Sequence, residues 1–159
     1  MRSVAAALLV ALWLGAALLT VAVVTPGAFA VLPTRAMAGD MVGRVLPVVF
    51  AGAVIVPVLV LFIAPAVRRK ALAVASSASA VLASVVALGV VNPRIAALRV
   101  IAVVPVDQLA PADPRRVMFG LLHALSVGLL GVSMLALTAL LVVLVRAAVP
   151  GAQAPRDAR

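Results

Sequence analysis

RVMFGLLHALSVGLLGVSMLALTALLVVLVR, residues 116–146, runs between its two end arginines without a single Asp, Glu, Lys or Arg. As an α-helix, the stretch from Arg115 to Arg146 would be about 50 Å long, against roughly 30 Å for the hydrocarbon of a bilayer. A domain of this size has no soluble core large enough to hide such an element. It therefore predicts a membrane span whose first turns stand above the hydrocarbon. Asp113-Pro114 supplies its start. The carboxylate can cap free N–H groups, and a proline loses no hydrogen bond in a first helical turn.

Three more apolar runs precede it, and with it they predict spans at about 4–25, 41–64, 71–91 and 116–146. The whole chain of 159 residues is 67% hydrophobic and only 11% charged, with a mean hydropathy of +1.35. Soluble domains are about half apolar and about a quarter charged. The fold class that follows is all-α, an integral membrane bundle of four transmembrane helices, in one domain over 1–149 with a disordered polar tail at 150–159. The first run also resembles a signal peptide, with Arg2 ahead and Ala28-Phe29-Ala30 behind. Its apolar stretch exceeds the usual length of about 7–15 residues, which favours a retained helix. Ala7, Ala11 and Gly15 repeat every fourth residue and offer a ridge for close helix packing.

Between the runs, Leu32 to Asp40 reads as a short polar connection, and Pro57 predicts a kink in the second span. Ser76, Ser77, Ser79 and Ser84 mark the third as a central helix with small contacts. Asn92-Pro93 predicts its end, because the residue before proline is pushed out of helical geometry. Arg94 to Val104 is too short to span. It reads either as a short interfacial helix between the third and fourth spans or as a protruding continuation of the third.

The net charge of +9 comes from 13 basic residues against four Asp, and the basic residues lie mostly between or beside the apolar runs. They form no stripe with aromatic neighbours, which argues against nucleic acid and for a lipid bilayer with anionic headgroups as the partner. There is no Cys and no Glu, one His, and four Asp at 40, 107, 113 and 157. Thiol chemistry is excluded, and one His gives too few ligands for an ordinary metal site. Neither paired carboxylates, nor a phosphate-binding glycine loop, nor a nucleophile with its base is found. The expectation is no enzyme and no cofactor.

One polar constellation stands out. On a wheel of about 100° per residue, Arg116, Phe119, Gly120, His123, Ser126, Met134 and Thr138 share a face of the fourth helix. Leu121, Leu125, Leu129, Val132, Leu135 and Ala139 form the opposite, lipid-facing side. Polar groups in an apolar medium are expensive and point inward, so His123 is expected as an interior contact near Ser126 and Asn92. Arg44, Asn92, Arg94, Arg99, Arg116, His123 and Ser126 are the candidate ligand-binding residues, forming a polar mouth.

Leu12-Trp13-Leu14-Gly15, Pro26 with Phe29, Leu32-Pro33, Ala38-Gly39, Gly43-Arg44, Asn92-Pro93-Arg94-Ile95 with Arg99, and Phe119 with Leu122-His123-Ala124-Leu125-Ser126 follow one another along the chain. Together they resemble the transmembrane-protein-205-like family of small four-helix membrane proteins, over roughly Leu12 to Leu144. The resemblance implies a retained first helix and no defined reaction. The long Pro- and Asp-containing segment before the fourth helix departs from the pattern.

The expected function is a multi-pass membrane protein that binds or passes a small solute. The alternative is a non-catalytic accessory or assembly subunit docking to a larger membrane complex, and partnership with a second copy or another membrane protein fits either. The arginine-rich composition points to a bacterial cytoplasmic (inner) membrane. Seven basic residues fall on the side of the termini and six on the other. The compact Arg68-Arg69-Lys70 turn predicts cytoplasmic termini.

Overall fold

The computed structural model describes residues 1–64, 69–101 and 104–149. The polar tail at 150–159 and Arg68 of the basic turn lie outside the described residues. Four helices are long and apolar enough to cross a membrane. Helix α1 covers Arg2–Val31, α2 covers Arg35–Ile63 and α4 covers Pro114–Ala148. Helix α3 consists of Lys70–Val86, a π-helical turn at Ala87–Val91, and Asn92–Ile101. Each packs against the next, and α4 closes the bundle on α1.

Two elements differ from the sequence expectation. The connection after α1 is only Leu32, Pro33 and Thr34, because Arg35 to Asp40 already belong to α2. The cause is an N-cap: the Thr34 hydroxyl accepts a hydrogen bond from Met37 N at 3.2 Å. Asn92-Pro93 does not end the third helix, which continues to Ile101. Arg94 to Ile101 therefore continues the third helix and is not a separate interfacial helix.

A π-turn explains how α3 passes its proline, and α1 repeats the device. In α1 the turn is Thr20–Val24, followed by Thr25–Val31 with Pro26 in its first turn. In α3 the turn Ala87–Val91 is followed by Asn92 and Pro93. Both prolines thus stand at the same offset, in Val23-Val24-Thr25-Pro26 and Val90-Val91-Asn92-Pro93. A proline ring clashes with the carbonyl four residues earlier and leaves it without a donor. Those carbonyls belong to Ala22 and Gly89, each inside a π-turn, where one extra residue per turn widens the register. Helix α2 remains α-helical through Pro47 and Pro57.

The core is tightest toward the chain termini. There Ala6, Val10, Trp13 and Ala17 of α1 meet Ala53, Val56 and Val60 of α2, Ala73 and Ala80 of α3, and Leu137, Leu140 and Leu144 of α4. Trp13 Nε1 donates to Val49 O at 3.0 Å across α1 and α2. Gly52 makes room for this ring: a Cβ there would lie 2.7 Å from Trp13 Cδ1. The proposed ridge is not the packing face, since Ala7 is buried but Ala11 is exposed and Gly15 has nothing within 4 Å. At the middle of the bundle, Phe50, Ala87 and Leu130 form a buried layer. Beside it Ser133 Oγ donates to Leu129 O at 3.0 Å and so accepts from Ser84 Oγ at 3.1 Å. That pair satisfies two hydroxyls inside the apolar interior, where an unmet one is costly.

Candidate functional site

Beyond the Phe50 layer, at the end away from the termini, the bundle holds a partly open cavity of about 730 Å³. All four helices contribute: Phe29 from α1, Leu46 from α2, Ile95 from α3 and Phe119 from α4, with Val104 to Val106 of the following connection at one side. Each helix position is set by local chemistry. Pro26 and its π-turn carry α1 on to Phe29, and the matching turn in α3 carries the chain to Asn92, Ile95, Ala96 and Arg99. Helix α4 starts at Asp113, whose carboxylate accepts from Arg115 N at 2.8 Å, with Pro114 in the first turn.

Arg99 is the organising side chain. It crosses from α3 to α2, where Nη1 donates to Asp40 Oδ1 at 2.9 Å and Nη2 to Gly39 O at 3.0 Å. Gly39 and Gly43, one turn apart, make the seat. A Cβ on Gly39 would stand 3.1 Å from Nη2, and one on Gly43 would stand 2.9 Å from Nη1. A Gly-x-x-x-Gly pair usually lets two helices approach; here it admits a guanidinium. The Arg99 Cζ also lies 5.6 Å from the centre of the Phe119 ring, within cation–π range. Phe119 in turn lies parallel to His123, with ring centres 6.3 Å apart and planes 4° apart. A guanidinium, a phenyl ring and an imidazole thus line up along one wall. The Arg99–Asp40 pair is mostly open on its acidic side, Asp40 being 64% exposed and Arg99 29%.

Of the residues predicted for a polar mouth, Asn92, Arg99, His123 and Ser126 line the cavity. Arg44 and Arg94 are exposed and lie outside its lining. Arg116 faces the connection instead, its Nη1 donating to Leu109 O at 2.6 Å. The α4 wheel is rotated from its expected setting. Leu122, Ser126, Leu130, Ser133 and Leu137 point inward, whereas Gly120, His123 and Thr138 are exposed. Thr138 escapes the cost by donating to its own Met134 O at 2.8 Å. His123 is exposed beside the cavity and stacked on Phe119, and Ser126 is the residue that is buried, at 2%. Leu121, Leu125, Val132 and Leu135 face outward as expected.

Sequence reasoning missed Arg35, Gly39, Asp40 and Gly43 as parts of this site. The signal was present: two glycines at helix spacing flank an aspartate, and an arginine follows in the third helix. Asn92 Nδ2 is enclosed and finds no hydrogen-bond partner among the described residues. A half-turn of the amide exchanges its two ends, so this residue can offer the cavity a donor or an acceptor. Among the described residues no three His, Cys, Asp or Glu side chains come together. The cavity therefore offers a ligand charge, hydrogen bonds and apolar contact.

At the margin of the site, Asp113 is held low. Hydrogen bonds from the Arg115 side chain and backbone, with the nearby guanidinium charge, bring its carboxyl from 3.8 down to about 2.

The model of the family described as a domain of unknown function, DUF4149, matches residues 8–103 of the chain. No curated protein and no solved structure matches it significantly.

Proposed function

Because the chain belongs to the DUF4149 family, whose function is unknown, we propose its role from the geometry: it is a non-enzymatic multi-pass membrane protein that holds a small solute in the cavity. The observation that carries this reading is the assembly of Asn92, Arg99, His123 and Ser126, from two helices, around one space of about 730 Å³. Binding pockets for drug-sized molecules fall in the range of roughly 300–1,000 Å³, with apolar walls and few polar groups. Arg44, Arg94 and Arg116 then serve the membrane surface and the connection, and are not ligand contacts.

The same reading retains the transmembrane-protein-205-like resemblance, a bacterial cytoplasmic membrane, cytoplasmic termini and attraction to anionic headgroups. A Cys introduced at Ser3 should resist a membrane-impermeant thiol reagent in intact cells; ready labelling would reverse the topology. On the accessory-subunit reading, a partner helix would pack into the open apolar groove of about 410 Å³ between α2 and α3, lined by Ala51, Ile55, Val85 and Gly89.

The test is native mass spectrometry of the purified full chain, released gently from membranes. A retained small-molecule adduct that is weakened or lost in Ala96→Phe, which puts a ring on the cavity lining, supports solute binding. A bare chain together with a stoichiometric protein partner favours the accessory role instead.

A further inference from the structure

We infer that the solute is an amphiphile with one anionic headgroup, held by Arg99 and Arg35 at the rim while its apolar body fills the cavity. This rests on the cavity being a ligand site and names the chemistry it selects.

The lining carries the argument. Most of it is apolar: Phe29, Val42, Leu46, Ile95, Ala96 and Phe119 present carbon to the space. A fully polar solute would lose its water there without replacement. Three charged side chains belong to it, Arg35 and Arg99 with Asp40, so the described lining has one more positive charge than negative. Asp40, itself on the lining and 64% exposed, offsets one of the two guanidiniums and engages only Nη1 of Arg99, whose side chain is 29% exposed. A guanidinium has five N–H donors, and among the described residues Asp40 and Gly39 engage two of them. The remaining ones, held in a fixed plane by the glycine seat and the Phe119 ring, suit the two oxygens of a carboxylate or phosphate. Preorganisation matters because an arginine already locked in place loses little freedom on binding. Arg35 adds a second cation at the start of α2, on the same rim. Asn92, deeper in the cavity, can meet one polar atom on the ligand body.

The shared chemistry is an anionic oxygen headgroup on an apolar body, and it has two sources: a free fatty carboxylate or a membrane phospholipid. The probe is 11-(dansylamino)undecanoate with full-length protein in phosphatidylcholine nanodiscs, compared with the methyl ester of the same molecule. The acid should bind saturably, at least tenfold tighter than the ester. Arg99→Gln should bring the acid to the level of the ester and leave the ester unchanged. If Arg99→Gln does not fold, Arg35→Gln should cost the acid several-fold and the ester nothing. Displacement of the probe by phosphatidate supports a lipid source, and displacement only by free dodecanoate supports a soluble amphiphile. Equal binding of acid and ester would overturn the headgroup assignment while leaving the cavity as a ligand site. No saturable binding of either, together with no adduct by mass spectrometry, would overturn both.

Discussion

The half of the bundle near the termini and the half around Arg99 are built from the same four helices, yet one is filled and the other hollow. In the first, alanines alternate with Val10, Trp13, Val60, Leu137, Leu140 and Leu144, and the helices close on one another. In the second, two helices have each passed through a π-turn and a proline before they reach the site. The widened register re-aims every side chain that follows, so Phe29 and Ile95 line a space instead of filling one. The difference teaches that apolar composition alone does not set packing in lipid. Without a hydrophobic drive between helices, the fit of small against large residues decides it.

If the layer of Phe50, Ala87 and Leu130 is the boundary, removing it should hurt most. Phe50→Ala should destabilise by about 3 kcal/mol, since the ring is fully buried and its loss leaves a void. Thermal unfolding in detergent measures this. A change no larger than that of an outward residue such as Leu135→Ala would mean that the two halves are not separated there. Gly52→Ala comes next, at about 2 kcal/mol by the same measurement, because its methyl would collide with the Trp13 ring. That loss should vanish when Trp13 is also shortened to Leu, if the collision is the cause.

The four spans were legible because each is a long apolar run with little or no charge, and lipid leaves such a run one solution. The capped start of α4 was legible because Asp113-Pro114 is a local signal. The continuation past Pro93 was not, since a π-turn is a tertiary accommodation that a proline rule does not contain. The α4 wheel was misaligned for a related reason. His123 looked like the polar group most in need of an interior, but its imidazole is exposed at the cavity lining and stacks on Phe119, while Ser126 and Ser133 turn inward. Asn92 and Arg99 could be named from their polarity, whereas the glycine seat for Arg99 depended on two helices meeting.

Smaller effects sharpen the hollow half. Asp113 caps α4 with its carboxyl held at about 2. A carboxyl lowered in the folded state stabilises it at pH above about 4, and that contribution fades as pH falls through about 2. The protection of the Arg115 amide, its exchange rate taken relative to an unprotected amide at the same pH, should therefore weaken as pH falls toward about 2 in the natural chain and change much less in Asp113→Asn. The smallest expected change is at His123. Both His123→Ala and Leu125→Ala remove exposed side chains, and they should melt within about 0.5 kcal/mol of each other. A clearly larger loss for His123 would restore it as an interior contact.

The chain has no cysteine of its own, so single introduced thiols report access without interference. Ser126 and Ser133 are buried alike, at 2% and 0%, about two turns apart on the same face of α4. Only Ser126 borders the cavity, whereas Ser133 lies beside the closed layer. The decisive measurement is the rate at which a small methanethiosulfonate reagent modifies Ser126→Cys and Ser133→Cys in nanodiscs. Rapid modification of the first and almost none of the second is the predicted result. Equal rates, or protection of both, would contradict a hollow half bounded by a filled one.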